Sequence, residues 1–426
     1  MLLLAVSLAL PCPTVATGTP SSLSFDTAQV AIVRQDNRTT FSVSINPVGD
    51  PQAFALVMPV PEVLAQDEVT TLDPSIFARL DGYSAPRHVN DAGCPNTDSG
   101  VAYEDGGPQS DTADAGDTGV TVEAEYLVGE YQVVILSAEE SSSLGAWLDA
   151  NAYYLPTGAD ERLAEYIEAG SYFLAAKVAE EAAVATGVPL SPLQVSYDSE
   201  LFAIPLRLAT LNSPGEQDMI IYAFTELEGA NDPARAAISN YPEFEVPDKC
   251  IWGDPNADDF SVFYDDLYTK AWTAVGDAGW TVEFAGGFYD CNPCSGVYIT
   301  EEDVEALGFR GNADNHHLTR LHMRYTPEQA ETDLVLYGSG LYEPMVTAYA
   351  DDYEQNYSCV ESFCDGRDTP TEEDGWDDDG DLDGDSPGGD DPGLQSAGTG
   401  CGCDNAAAPG MIAAATALLA ARRRRG

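Results

Sequence analysis

The chain has 426 residues, of which 72 are Asp or Glu and 18 are Lys or Arg, so its formal net charge is −54. This charge argues against binding of nucleic acid or anionic lipid by the body of the protein. The apolar content of 44% and aromatic content of 9% suffice for a buried core, and the length allows two or three domains. These values exclude a wholly disordered chain.

The N-terminus is typical of a secretory signal peptide. Residues 2–10 form an apolar run that contains one polar residue, Ser7, and the small residues Ala16, Thr17 and Gly18 follow it. Nine residues span about 14 Å as a helix, too little for a stable membrane anchor. Cys12 raises the alternative of a lipoprotein signal, but Pro11 stands where that signal has a small residue. We therefore assign residues 1–18 to a signal peptide.

Hydrophobic periodicity predicts the fold class of residues 23–350. Alternation with period two predicts strands at 29–34, 39–45, 121–127, 131–136, 193–197, 201–209, 219–225, 280–284, 318–325 and 334–337. Helices are predicted at 141–150, where Ser141–Ser143 cap the start, at 160–169, and through Phe260, Phe263, Tyr264, Leu267, Ala271 and Val275. Clustered strands with inserted helices predict an α+β fold with a mostly antiparallel sheet, in one unit or two subdomains. Residues 98–119, rich in Asp, Gly and Ser, are predicted to be a disordered acidic insert.

Short motifs spread over most of the chain carry a family resemblance. They lie at 50–61, 77–80, 85–87, 129–131, 136–138, 147–148, 190–193, 291–294 and 318–322. From about Leu23 to Gly338 the sequence resembles domain of unknown function 2330 (DUF2330), a bacterial family. The resemblance implies an exported envelope protein, and it brings no activity with it.

Six cysteines remain after Cys12 and the C-terminal pair are set aside: Cys94, Cys250, Cys291, Cys294, Cys359 and Cys364. An even count in an oxidising compartment favours structural disulfides, and Cys359 with Cys364 is a plausible local pair. Two alternatives use the Cys-x-x-Cys spacing of Cys291 and Cys294. One is a zinc site completed by His316, His317 or His322, although adjacent histidines in a strand point to opposite sides. The other is a redox-active dithiol, which lacks the usual strand-to-helix context.

The remaining polar residues give weak signals of catalysis. His322 lies in an alternating strand, where a buried, hydrogen-bonded imidazole is the default interpretation, and general-base duty would need a partner carboxylate. Arg320 and Arg324 share a strand face, so they either clamp an anionic ligand or pair with this chain's plentiful carboxylates; we favour pairing. No Gly-x-Ser-x-Gly elbow, phosphate loop or dinucleotide fingerprint occurs in the sequence.

An acidic segment follows the predicted folded region. Residues 365–391 contain thirteen acidic side chains and one arginine, so residues 365–400 are predicted to be a disordered linker. Within it, Asp379, Asp381, Asp383 and Asp390 match the spacing of a calcium loop. The final bidentate Glu and the flanking helices are absent from the sequence, so a solvated linker is the favoured interpretation.

The C-terminus combines three features in a fixed order. Cys401 and Cys403 precede an Ala-rich apolar segment at 406–421, and Arg422, Arg423, Arg424 and Arg425 follow. Sixteen residues span about 24 Å as a helix, marginal for a permanent transmembrane helix but adequate for a stop-transfer signal. Residues 400–426 resemble the MYXO-CTERM sorting signal of myxobacteria, which implies removal of the tail and anchoring through a cysteine. An ordinary C-terminal membrane anchor gives the same topology.

Together these features predict an exported protein anchored in the cell envelope or at the cell surface. Its expected partners are the export and C-terminal sorting machinery, the membrane and an extracellular ligand, with no nucleic acid. The sequence favours a non-catalytic binding, adhesion or structural module without a cofactor. The alternative is an exported metal-dependent or thiol-disulfide enzyme that uses Cys291 and Cys294.

Overall fold

The architecture is taken from a computed structural model. It describes residues 14–17, 24–25, 28–45, 47–48, 54–89, 119–153, 155–156, 158–179, 190–212, 215–226, 235–247, 249, 251, 254–256, 259–287, 295–339 and 345–350.

Within these residues the strands are β1 (Thr14–Thr17), β2 (Ser24–Phe25), β3 (Ala28–Gln35), β4 (Arg38–Ile45), β5 (Pro47–Val48), β6 (Phe54–Val60), β7 (Val69–Thr71), β8 (Arg87–Val89), β9 (Val120–Val128), β10 (Tyr131–Ala138), β11 (Tyr172–Val178), β12 (Leu190–Asp198), β13 (Ala203–Ile204), β14 (Gln217–Glu226), β15 (Ala236–Ile238), β16 (Gly279–Gly286), β17 (His316–Tyr325), β18 (Leu334–Gly338), β19 (Met345–Val346) and β20 (Ala348–Ala350). The helices are α1 (Ser75–Ser84), α2 (Ser141–Ala150), α3 (Ala159–Glu168), α4 (Leu206–Ala209), α5 (Phe260–Val275) and α6 (Glu301–Ala306).

Two large sheets organise the described residues. The first has the order β1-β6-β11-β10-β9, and the second has the order β19-β16-β17-β14-β3-β4-β12-β7. Neighbouring strands in both sheets are antiparallel, except for the parallel pair β3 and β14. β13, β18 and β15 form a smaller sheet, and the pairs β2–β5 and β8–β20 stand apart from it.

The sheets pack face to face, with helices on both outer faces. The main core contains Ile32 and Leu321 of the eight-stranded sheet together with Met58 and Ile135 of the five-stranded sheet. α2 and α3 cover the outer face of the five-stranded sheet. α1 and α6 pack on the outer face of the eight-stranded sheet, and α5 lies beside them over β16 and β17. The fold therefore has four layers: helices, sheet, sheet and helices.

Local signals explain where α5 begins and ends. The Asp259 side chain accepts hydrogen bonds from the backbone N–H groups of Ser261 and Val262, which caps the N-terminus. The helix ends at Gly276, which has a φ of 73°, a left-handed conformation that favours glycine. Phe263, Leu267, Tyr268 and Trp272 are the buried residues between these signals. The cap thus fixes which side of α5 faces the sheet.

The fold agrees with the predicted α+β class and its mostly antiparallel sheets. The two hairpins β3–β4 and β9–β10 form as expected, and α2 has the predicted bounds. The strand predicted at 201–209 is wrong. Pro205 follows the two-residue strand β13 and precedes α4, and proline cannot donate to a strand ladder. The predicted serine cap of α2 is also wrong, because Glu140 is the N-cap and makes no side-chain capping bond.

β1 lies inside the segment that the sequence assigns to a signal peptide. Its four residues pair with Phe54–Val57 of β6 at one edge of the five-stranded sheet. Cleavage after residue 18 would remove this edge strand. In the described part of the chain, no helix has the length and apolar character needed to cross a membrane. The insert predicted at 98–119 and the segments 365–400 and 400–426 lie outside the described residues, apart from Gly119.

Candidate functional site

β17 carries a row of charged side chains on one face. Arg320, His322 and Arg324 alternate with Leu321 and Met323, which are buried in the core between the sheets. Successive side chains of a strand point to opposite faces, so the three cationic residues share the outer face under α1 and α5. The pattern Arg-x-His-x-Arg thus becomes a row of charged side chains on the outer face of the sheet.

A β-bulge in β16 supplies the central carboxylate. The register against β17 shifts between Val282 and Phe284, and the extra residue is Glu283, whose side chain is 1% exposed. Its Oε2 accepts from Arg320 Nε at 2.6 Å, and its Oε1 lies 2.7 Å from His322 Nδ1. Tyr264 of α5 also donates to Oε1, at 2.7 Å. Both oxygens of Glu283 are therefore occupied by the protein's own donors.

His322 lies between two carboxylates. Its Nδ1 faces Glu283, and its Nε2 lies 3.1 Å from Asp218 Oδ1. A carboxylate only accepts hydrogen bonds, so both ring nitrogens must carry a proton to satisfy this geometry. The Tyr268 ring stacks on the imidazole with centroids 3.9 Å apart. The arrangement selects the imidazolium form.

The two arginines complete the charge pairing on either side of His322. Arg324 makes two bonds to Asp218, at 2.7 and 2.9 Å, and one to Asp265 of α5 at 3.0 Å. Arg320 reaches Asp81 of α1 at 2.7 Å in addition to Glu283. The buried charge cluster, defined as Arg320, His322, Arg324, Glu283, Asp218, Asp81 and Asp265, thus sets three cations against four carboxylates. Its centre is buried, while the side chains of Asp81 and Asp265 at its rim are 45% and 65% exposed. The cluster joins the eight-stranded sheet to α1 and α5.

Charge pairing has a larger effect than burial on the pKa values of this cluster. Burial by itself lowers the pKa of His322, but the charge of Glu283 and the hydrogen bonds that the ring donates to both carboxylates raise that pKa to about 9. Burial likewise disfavours the charged form of Glu283, yet His322 and Arg320 hold its pKa at about 2. The pKa of Asp218 is also lowered, against its burial, by His322 and Arg324. All three groups are therefore ionised at neutral pH.

A cleft of about 310 Å³ lies beside the cluster, at the outer edge of β16. Phe244 and Tyr264 contribute aromatic surface to it, and Arg235, Glu243 and Glu245 contribute charge. Arg235 forms an ion pair with Glu243. Tyr264 belongs to both regions, because its ring lines the cleft while its hydroxyl donates to Glu283. This cleft and the buried charge cluster form the candidate site.

A second cleft, of about 440 Å³, lies at the turn end of the β3–β4 hairpin. Several of its polar side chains already have partners in the protein. Gln35 donates to Glu226 at 3.1 Å and accepts from the backbone N–H of Arg310 at 2.7 Å, and Arg38 pairs with Glu68 and Asp198. We therefore treat the first cleft as the candidate ligand site.

The structure places apart the three histidines that the zinc alternative offers as possible ligands beside Cys291 and Cys294. His316 Nδ1 lies 2.5 Å from the carbonyl oxygen of Ala313, and its ring packs on Phe224. The neighbouring His317 faces Thr319, on the opposite side of the strand. His322 is six residues from His316, about 20 Å along a strand. The three imidazoles cannot meet at one metal ion, and no group of three or more metal-ligating side chains is found in the described part of the chain.

The other residues predicted from the sequence as site residues lie outside the described residues. They are the disulfide candidates Cys94, Cys250, Cys291, Cys294, Cys359 and Cys364, the calcium candidates Asp379, Asp381, Asp383 and Asp390, and the sorting residues Cys401, Cys403, Arg422, Arg423, Arg424 and Arg425. For these residues the predictions stay predictions.

Sequence reasoning identified the cationic row and missed its partners. The favoured prediction that Arg320 and Arg324 pair with carboxylates is confirmed, as is that of a hydrogen-bonded, largely buried His322. Glu283, Asp218 and Asp81 were not predicted. The available signal was Glu283 itself, a carboxylate within the apolar strand Gly279–Gly286, because such a residue is rarely buried without a partner.

Comparison with known proteins places the chain in a family. Searches of curated proteins and of solved structures find no match for it. The model of the family described as "Uncharacterized protein conserved in bacteria (DUF2330)" matches residues 6–337, which is more than half of the chain. The match begins earlier than the resemblance expected from about Leu23. The chain therefore belongs to the DUF2330 family.

Proposed function

We propose that this protein is a non-catalytic binding module displayed at the cell envelope. The observation that carries the proposal is the closed hydrogen bonding of the buried charge cluster. Glu283 and Asp218 use both of their carboxylate oxygens to accept from Arg320, His322, Arg324 and Tyr264. Each oxygen of the two carboxylates already accepts a hydrogen bond from the protein, and the lowered pKa values of both groups make them weak bases.

The state of His322 argues in the same direction. A general base must be unprotonated at the working pH, whereas the pKa of His322 is raised to about 9 by its two carboxylate partners. The imidazole therefore acts as a cation that holds Glu283 and Asp218 together. Through Glu283 the cluster also holds Tyr264, which lines the adjacent cleft, and this holding role suits binding better than proton transfer.

The two ends of the chain support the location. The apolar run at 2–10 favours export, and the order of cysteine pair, apolar segment and arginine block at 400–426 favours a MYXO-CTERM-type signal. Under this proposal the acidic residues 365–391 separate the folded region from the membrane by self-repulsion of their charges. The disulfides predicted among the six cysteines fit an oxidising compartment.

Cell fractionation with thiol titration tests the proposal. We expect the protein in the envelope fraction, degraded by protease added to intact cells, with no free thiol and no bound metal after purification. A full-length product in the cytosol would overturn the location. A free thiol pair at Cys291 and Cys294, or a stoichiometric metal ion, would favour the enzymatic alternative.

The mass of the mature N-terminus adds a separate measurement. A start after residue 18 removes β1 and leaves the edge of β6 without its strand partner. A start before Thr14 keeps all five strands of the sheet. Mass spectrometry of the envelope protein distinguishes the two products.

A further inference from the structure

The floor of the cleft is a strand edge with an unfilled position. At one end, Phe244 N–H donates to the carbonyl of Trp280 at 2.8 Å, and Trp280 N–H donates to Pro242 at 3.0 Å. At the other end, Thr347 N–H donates to the carbonyl of Glu283 at 3.0 Å, and β19 pairs with Phe284 and Ala285.

Val282 lies between these two contacts. Alternate residues of a strand direct their N–H and C=O groups to the same edge, so Val282 presents its main chain on the same side as Trp280, toward the cleft. Among the described residues, none pairs with Val282 on that edge. A bound molecule that carries an amide in extended geometry fits this position, because it can donate to the carbonyl and accept from the N–H.

The charges at the cleft indicate which charge the side chain of such a ligand should carry. Glu243 neutralises Arg235 within the wall, while the exposed Glu245 has no hydrogen bond or ion pair in the described part of the chain. The uncompensated charge is therefore negative, and the whole chain carries −54. Both favour a cationic ligand and repel the chain's own acidic segment at 365–391.

We propose that this cleft binds a short extended peptide segment by strand addition to the edge of β16, with a basic side chain of the peptide facing Glu245. The proposal rests on the proposed binding function and names its ligand class. The volume of about 310 Å³ lies at the lower end for ligand sites, so the cleft takes two or three residues. The rings of Phe244 and Tyr264 contact the apolar part of the peptide.

Three matched peptides test the proposal on protein purified from the cells that produce it. The probes are N-acetyl-Ala-Lys-Ala-amide, the same peptide with Glu in place of Lys, and the Lys peptide methylated on its central amide nitrogen. Titration is followed by ligand-detected NMR. We expect the Lys peptide to bind at least ten-fold more tightly than the other two, because they lose the charge match and the amide donor respectively.

Two variants locate the binding. Thr347→Trp fills the cleft and should abolish binding of the Lys peptide. Glu245→Gln keeps the shape and should remove the preference for Lys over Glu. Glu226→Gln changes an exposed carboxylate at the second cleft and should leave binding unchanged. Thermal melting checks that each variant is folded.

Separate results overturn the inference and the proposed function. Equal binding of the three peptides, or Lys-peptide binding that is insensitive to Glu245→Gln, overturns the inference while leaving an exported binding module. Mass spectrometry of the peptides after incubation should find them intact. Cleavage that is lost in Thr347→Trp would instead overturn the non-catalytic assignment.

Discussion

The outer faces of the two large sheets are covered by helices in different ways. On the five-stranded sheet, Leu136 and Phe173 of the strands pack against Leu148 and Leu163 of α2 and α3, and this cluster is apolar. On the eight-stranded sheet, α1 and α6 also pack on an apolar cluster, whereas α5 is held over β16 and β17 partly by the ion pair of Asp265 with Arg324 and by the hydrogen bond from Tyr264 to Glu283.

The difference shows that one fold holds its helices on its sheets by two kinds of interaction. Apolar packing is non-directional and tolerates changes of similar volume. A buried ion-pair cluster gains stability only if every member keeps its partner, since removal of one partner leaves a buried charge. The charged side is therefore the more position-specific of the two, and it is also the side that borders the cleft.

The largest expected effect is that of Glu283→Gln. Removing this charge leaves Arg320 and His322 without their buried counter-charge, at a cost of about 3–5 kcal/mol in the free energy of unfolding. Denaturant unfolding followed by circular dichroism measures it. The matched change on the apolar side is Leu148→Ala, with an expected cost of about 2–5 kcal/mol from the lost burial and the cavity.

A double-mutant cycle shows whether the two losses have different causes. Glu283→Gln should cost less in the His322→Gln background, because the imidazolium that loses Glu283 as its partner is then absent. Leu148→Ala should lower the free energy of unfolding by the same amount in the wild-type protein and in His322→Gln. Additive effects of Glu283→Gln and His322→Gln would contradict the charge cluster as the source of stability on this side.

The pH dependence of stability should follow the charged side more than the apolar side. The folded-state pKa of His322 is raised from 6.5 to about 9, so its contribution is fully present below pH 6.5 and is lost as pH rises through 9. A shift of this size corresponds to about 3 kcal/mol. The folded-state pKa of Glu283 is lowered from 4.5 to about 2, so its contribution is present above pH 4.5 and is lost as pH falls through 2.

Denaturant unfolding at a series of pH values measures these windows. Leu148→Ala should lower stability at every pH by the same amount. His322→Gln should flatten the alkaline slope between pH 6.5 and 9. An unchanged slope in His322→Gln would show that other groups control the alkaline loss.

Much of the fold was predictable because alternation is a local signal. Strands with one polar and one apolar side, such as β4 and β9, follow period two in the sequence. β6 and β11 were not predicted, because Phe54–Val60 and Tyr172–Val178 lie in the five-stranded sheet between the shared core and the cluster under α2 and α3. Strands covered on both faces form nearly continuous apolar runs, which have no period to detect.

The candidate site was predictable only in its β17 half. The spacing of Arg320 and Arg324 predicted that they share a face, because residues two or four positions apart in a strand point to the same side of the sheet. Their carboxylate partners lie far away in sequence, with Asp81 and Arg320 separated by 239 positions. The bulge that turns Glu283 toward Arg320 depends on strand pairing, which one sequence without its topology does not specify.

The smallest expected effect distinguishes two tyrosines, the partly buried Tyr264 on the charged side and the buried Tyr153 on the apolar side. Tyr264→Phe removes a hydrogen bond to the ionised Glu283, a type of bond worth about 1.5–3 kcal/mol. Tyr153 packs with Trp147 in the apolar cluster, and its buried hydroxyl has no hydrogen-bond partner among the described residues. Tyr153→Phe should therefore leave stability unchanged or increase it by about 1 kcal/mol, because an unsatisfied buried hydroxyl is removed. Denaturant unfolding of the two variants side by side measures the contrast, and equal losses would mean that hydrogen bonding does not distinguish the two helix-covered faces.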